Sequence, residues 1–160
     1  MKTDIIIRPA QAQDGEAIAE LLRYIASLHA SLRPDIYKDG EIAKHDSDGV
    51  REMIADPENI IFSAESEGTV IGYAIAKLVP PKEHAILRPR KVLYVDDLCV
   101  DPSLHRSGVG RLLMDACVEH AKLLGCDAIE LNVWEDNASA LAFYKAFGMR
   151  TQRRRMEMSL

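Results

Sequence analysis

Apolar and polar positions alternate along this chain in two different rhythms. Residues 5–8 are a β-rich run closed by Pro9. Asp14 then stands ahead of Ile18, Leu21, Leu22, Ile25, Leu28 and Leu32, spacing that predicts a helix with Asp14 as its cap. Residues 33–49 are polar and turn-rich and read as a loop or broken helix, followed by a short helix over 50–55 that Asp56-Pro57 ends. The period then shortens. Residues 60–65 and 69–78 read as strands joined at Glu67-Gly68, a hairpin signal. After the longer connection 80–91 comes a strand over 92–100, stopped by Asp101-Pro102. Helical spacing returns in Val109, Leu112, Leu113, Ala116, Cys117, Ala121 and Leu124, and Gly125 stops it. Residues 128–134 alternate as a strand. Asn137 can cap a last helix running to Phe147, Gly148 closes it, and 149–160 offers a final strand.

This order is β-α-α-β-β-β-α-β-α-β. The unit over 92–134 predicts two adjacent parallel strands with a right-handed crossover. The earlier strands read as antiparallel. The fold class is α/β (α+β): one domain over 1–160, with helices on the faces of a mixed sheet.

Composition adds exclusions. The net charge is −5, and nucleic-acid binders more often carry a basic balance. The one basic run, Arg153-Arg154-Arg155, reads as a solvated strand end or an anion contact. No long apolar run predicts a membrane span, and the first residues are too polar for a secretory signal. Cytoplasmic placement is the expectation. Cys99, Cys117 and Cys126 lack paired spacing and fit reduced thiols. No metal-ligand spacing is present; Cys117 and His120 form only an i, i+3 pair.

The candidate chemistry starts in SLHRSGVGRLLM, residues 103–114. The P-loop pattern is absent, and a dinucleotide fingerprint is weakened because Leu113 occupies the place of its third glycine. A helix beginning near Gly108 offers N–H groups that have no internal partner. Bare Cα positions at 108 and 110 would let a pyrophosphate approach them, with Arg106 and Arg111 adding charge. A glycine turn serving only strand–helix packing is the competing reading.

The segment H-R-S-G-V-G closely resembles the acyl-CoA motif of the GNAT superfamily of N-acetyltransferases, R/Q-x-x-G-x-G/A, with His105 where the pattern has glutamine or arginine. DDLCVDP before it is similar to the family's fourth strand. NASALAFYKAFGM (137–149) resembles the family's N-x-x-A-x-x-x-Y-x-x-x-G-F segment, with Met149 for the phenylalanine. The resemblance covers about residues 5–158 and is specific over 92–149.

It implies a mixed, largely antiparallel sheet splayed between strands 92–100 and 127–133, with acetyl-CoA in the split. The pantetheine arm would pair with the main chain of Leu98, Cys99 and Val100. The pyrophosphate would lie on His105, Arg106, Ser107, Gly108, Val109, Gly110 and Arg111, and Asn137 would reach the cofactor from the last helix. The implied reaction is acetyl transfer from acetyl-CoA to a primary amine by direct attack through a tetrahedral intermediate, with the Val100 N–H facing the developing oxyanion. Asp96 stands where the family often has a catalytic glutamate, and Asp97 is the neighbouring candidate base. Tyr144 matches the family's general-acid tyrosine. Cys99 is either strand packing or a thiol able to take an acetyl group; His29 and His84 are either ordinary histidines or acceptor-site lining. The acceptor is a small-molecule amine, a polyamine, or a protein N-terminus or lysine, set by 24–45 and 80–91. No nucleic acid or membrane partner is implied, and strand edges give a route to a homodimer. The alternative is a non-catalytic acyl-CoA-binding domain that senses the cofactor or contacts a partner; a nucleotide-binding oxidoreductase is more remote.

Overall fold

The computed structural model describes residues 4–38 and 45–160. Five strands form one sheet in sequence order: β1 (Ile5–Pro9), β2 (Asn59–Ser66), β3 (Thr69–Val79), β4 (Val92–Val100) and β5 (Ala128–Glu130). The first three pairings are antiparallel, and β4 runs parallel to β5. Helices α1 (Gly15–Leu32) and α2 (Ser47–Ala55) follow β1; α3 (Val109–Leu123) links β4 to β5, and α4 (Ala138–Phe147) follows β5. The turn at Glu67-Gly68 takes positive φ at both residues, as a tight hairpin demands.

Side-chain alternation along the strands gives the sheet two apolar faces. On one, Ala74, Ala76, Leu93 and Val95 pack with Val109, Leu113, Met114 and Cys117 of α3. On the other, Ile61, Tyr73, Ile75 and Cys99 pack with Ile18, Ala19 and Leu22 of α1 and Val50 of α2. Leu113 and Ile18 are fully buried, each contributing about 1.5–3 kcal/mol by leaving water.

The alternation is interrupted once in β4. Ile75 stands opposite Asp97, while Ala76 stands opposite Val95. Asp96 is therefore the extra residue of a β-bulge, which bends the strand and sharpens its twist. The pairing of β4 with β5 is confined to Val92–Tyr94, just ahead of the bulge. Beyond it no pairing joins the two strands, at the place where the family resemblance implied a splay.

Four readings need correction. Asp14 does not cap α1 through its side chain; its carboxylate accepts instead from the Gln11 N–H and from Arg8. Residues 47–49 belong to α2, whose cap is Asp46 accepting from the Gly49 N–H; residues 39–44 of that loop reading lie outside the described residues. The strand read over 128–134 stops at Glu130, because β4 bends away and leaves 131–134 no ladder. The final strand read over 149–160 is absent: that segment has no ladder pairing.

Candidate active site

The open edge of β4 has a definite parity. The Asp101 N–H donates to Ile71 O at 2.9 Å, and Val100 faces Gly72 one step on. In an antiparallel ladder bonded and non-bonded pairs alternate. Leu98 and Val100 thus turn their N–H and C=O groups away from β3, towards the split. Cys99 turns inward: its carbonyl would lie 3.0 Å from a Cβ at Gly72. Of the three residues read as freed backbone, two face the split.

The turn after β4 is built by local bonds. Asp101 accepts from the Ser103 N–H and hydroxyl at 2.8 and 2.6 Å, and these bonds hold its carboxyl below the usual range. The Ser107 hydroxyl donates back to Leu104 O at 2.5 Å. Arg106 has φ +64° and Gly108 φ +93°, so the chain crosses the left-handed region twice in three residues. The first α3 bond runs from the Leu112 N–H to Gly108 O, so the N–H groups of Val109, Gly110 and Arg111 lie ahead of the ladder. A Cβ at Gly108 would meet nothing within 4 Å. The space above the helix start is open, as an approaching anion requires. Gly110 answers a packing demand instead. A Cβ there would sit 3.3 Å from the Phe143 ring, so its bare Cα seats α4 against α3. Arg111 extends over the Phe147 ring, 5.4 Å from its centroid. His105 lies at the edge of Tyr24, ring centroids 6.5 Å apart.

Because Phe143 packs on Gly110, its neighbour Tyr144 is held beside the core of α3 and β4. The rings of Phe143 and Tyr144 meet edge to face at 5.1 Å. Asn137 caps α4, its Oδ1 accepting from the Ala140 N–H at 3.1 Å. Burial, reinforced by the negative charge of Asp97, pushes the Tyr144 phenol up to about 12. At neutral pH it keeps its proton and serves as a donor.

Asp97 sits at the centre of this electrostatic arrangement. Its field raises Tyr144, Tyr73 and Cys99 alike. Tyr73, with 0% exposure, was not singled out from the sequence. Burial first and Asp97 second push its phenol far up. Cys99 is pushed up to about 12 by burial, then by Asp97 and Asp101, and its thiol points at Leu21 O. A buried, protonated thiol of this kind is packing rather than a nucleophile. Asp96, on the bulge, is solvent-exposed.

A second group of residues, His29 apart, escaped the sequence reading. Trp134 donates from Nε1 to the Tyr37 hydroxyl at 2.7 Å, and Tyr37 stacks on His29 at 5.2 Å. Desolvation lowers the His29 pKa. Arg33 lies 5.0 Å above the Trp134 ring and pairs with Asp35, Asp136 and Glu157. Asn132 donates to the Tyr94 hydroxyl at 3.0 Å. These partners are up to 124 residues apart in sequence, so no local pattern announces them. His84, by contrast, accepts from the N–H groups of Ile86 and Leu87 and so shapes the tip of the 80–91 connection. Among the described residues no cluster suited to a metal occurs, and no helix is long and apolar enough to cross a membrane.

Comparison with known proteins bears on the family and the fold. The chain is 32% identical over 150 residues to the L-amino acid N-acetyltransferase AaaT of Escherichia coli, covering 91% of this chain and 83% of that protein. It is 34% identical over 93 residues to the mycothiol acetyltransferase of Propionibacterium freudenreichii, covering 58% of this chain and 28% of that protein's length. Its fold matches a mutant form of the BH1408 protein of Bacillus halodurans with a TM-score of 0.91 at 32% identity, over 97% of this chain and 99% of that one. It also matches the aminoglycoside N-acetyltransferase AAC(6')-Iy in complex with CoA, with a TM-score of 0.72 at 18% identity over 99% and 95% of the two chains. The family model for acetyltransferases of the GNAT family matches residues 24–149, and the chain belongs to that family.

Proposed function

We propose that this chain transfers an acetyl group from acetyl-CoA to a primary amine. The reading is supported by the β4 edge left open towards the split, by the charge of Asp97 acting on the buried Tyr144 phenol, and by the Gly108 turn at the end of the strand. The residues present suit the cofactor. Leu98 and Val100 offer main-chain groups to an amide-bearing arm, as an open strand edge does for any extended ligand. The N–H groups of 109–111, with Arg106 and Arg111 nearby, suit a pyrophosphate. Acetyl-CoA bound there supplies an acetyl group already activated as a thioester.

The chain's own groups then divide the remaining work. An alkyl amine has a pKa of about 10.4, so a base must take its proton before attack at neutral pH. Asp97 or Asp96 is the acceptor of that proton, directly or through water. The outward Val100 N–H donates to the carbonyl oxygen as its charge grows. Tyr144 holds a proton for the departing sulfur. The acceptor itself is an amino acid, another small amine, or a protein amine, and the 32% identity to AaaT makes amino acids the first screen.

Thermal shift with acetyl-CoA, CoA and NAD side by side tests the binding half. A ligand at 100 times its dissociation constant stabilises by about 2.7 kcal/mol, and both CoA forms should raise the melt while NAD does not. The Tyr144→Phe variant tests the catalytic half: turnover should fall about 10- to 1,000-fold with cofactor binding kept. A CoA shift with no turnover on any amine would instead support a cofactor-sensing domain.

A further inference from the structure

Among the described residues, Tyr73 is the largest side chain that is fully buried. Its ring belongs to the core that α1 covers, with Ile18, Leu22, Ile75 and Cys99. Its hydroxyl is buried as well, and among the described residues it has no hydrogen-bond partner of ordinary geometry. A phenol in such a place costs stability, because it has left water without a full replacement. Phenylalanine would fill the same space without that cost. Asn59 Oδ1 shares the condition, but the same amide is anchored by Nδ2 donating to Met53 O at 2.9 Å. The Tyr73 hydroxyl has no second polar atom to anchor it. Buried polar atoms without a partner are few in a folded chain, and each asks for a reason.

The strand register names the group that Tyr73 faces. Tyr73 stands opposite Cys99, and Ile75 stands opposite Asp97. Tyr73 and Asp97 are thus diagonal neighbours on one face of the sheet, a separation that an aromatic side chain can span. After burial itself, the Asp97 charge is the strongest influence on the phenol, and the Asp97 carboxylate also acts on it as a hydrogen-bond acceptor. Asp96 is the weakest influence. The two groups are therefore close without the alignment of a finished hydrogen bond. Bonds at reacting groups are often long or bent before substrate binds and tighten in the complex. The other titratable groups nearby are otherwise engaged. Burial first, then Asp97, pushes Cys99 of the same strand up to about 12, and its thiol points at Leu21 O. Tyr144 reaches the same range for the same two reasons, from α4. Tyr24 of α1 feels Cys99 and Asp101.

We propose that Tyr73 is a positioning residue for Asp97 in acetyl transfer. Its hydroxyl donates to one carboxylate oxygen and turns the other towards the amine. Asp97, rather than Asp96, is then the acceptor of the amine's proton. Tyr73 keeps its own proton and takes part in no bond-making step. The proposal rests on the acetyl-transfer reading.

The Y73F variant removes the hydroxyl and nothing else. Its melting temperature should equal or exceed that of the wild type, since no complete hydrogen bond is lost. Aspartate carboxyl carbons are followed by NMR against pH in both proteins, with D97N identifying the Asp97 signal. The Asp97 midpoint should lie at higher pH in Y73F, because a hydrogen bond that favours the charged form is gone. Turnover is read as thiol release from acetyl-CoA with the common L-amino acids, a polyamine and an unblocked peptide. For an amine that the wild type acetylates, kcat should fall about 10-fold in Y73F, with KM for acetyl-CoA unchanged. In the D97N background Y73F should lower kcat no further. An unmoved Asp97 midpoint, an undiminished kcat in Y73F or D97N, or an equal further loss in the D97N background would overturn the proposal while acetyl transfer stands. A wild type that releases no thiol with any of these amines would fail the acetyl-transfer reading, and the positioning role with it.

Discussion

Asp14 is 2% exposed, yet it carries a charge. Arg8 reaches it with two bonds of 2.7 and 2.9 Å, Ser63 donates at 2.9 Å and the Gln11 N–H at 2.8 Å. Burial alone would raise its pKa; Arg8, Gln11 and Ser63 together outweigh burial and hold it below the ordinary value. Asp14→Ala would leave Arg8 to Glu65 alone and the buried Ser63 hydroxyl without its acceptor, so it should cost about 3 kcal/mol in urea unfolding at pH 7. A depressed folded-state pKa contributes stability above the unfolded value, about 3.9, and loses it as pH falls through the folded value. Wild type and variant should therefore converge in strong acid, and a gap that persists there would exclude this charge as the cause. Gly108 presents the opposite case, a backbone demand with no packing around it. Gly108→Ala should lower stability by about 1 kcal/mol through its positive φ. It should also reduce the acetyl-CoA thermal shift, because the methyl enters the space above the α3 N–H groups.

Among the elements, β4 does most to set the site, and it was only partly legible. Its bounds, its parallel neighbour and the turn after it follow from hydrophobic rhythm and from Asp101-Pro102. The bulge does not, because DD reads as two ordinary alternating residues until Ile75 and Ala76 fix the register from the next strand. For the same reason the sequence treats Asp96 and Asp97 as neighbours on opposite faces, while the fold turns Asp97 to the side of Tyr73 and leaves Asp96 exposed. Residues 131–134 and 149–160 alternate like strands but receive no ladder, since alternation reports a side chain's preference and not the presence of a partner. The Tyr37–Trp134–Arg33 group depended on tertiary contact throughout. Gly72 reports how closely β3 and β4 must approach. A Cβ there would lie 3.0 Å from Cys99 O, a main-chain atom that cannot swing aside. Gly72→Ala should cost about 1–3 kcal/mol and lower acetyl transfer along with stability, since the displaced strand carries Leu98 and Val100.

At the scale of the whole molecule, two cores share one sheet and a few side chains tie its distant parts together. Arg33 joins the end of α1, Asp136 ahead of α4, and Glu157 in the segment that follows it. Arg33→Ala should release these parts first: amide exchange should quicken at 33–38 and 134–137 while α3 stays protected. Exchange at 33–38 and 134–137 unchanged from the wild type would mean that Trp134 and Tyr37 hold the group without it.

The bulge at Asp96 has a consequence for what the fold gives up. Val95 and Asp97 already face opposite sides, so excising Asp96 would join two stretches whose alternation agrees. The ladder with β3 would become continuous, and the bend that parts β4 from β5 would lose its source. Such a deletion should leave the chain as stable as the parent or more so, and unable to admit acetyl-CoA. One surplus residue keeps the sheet from healing, and the wound it holds open is the entrance that the proposed function needs.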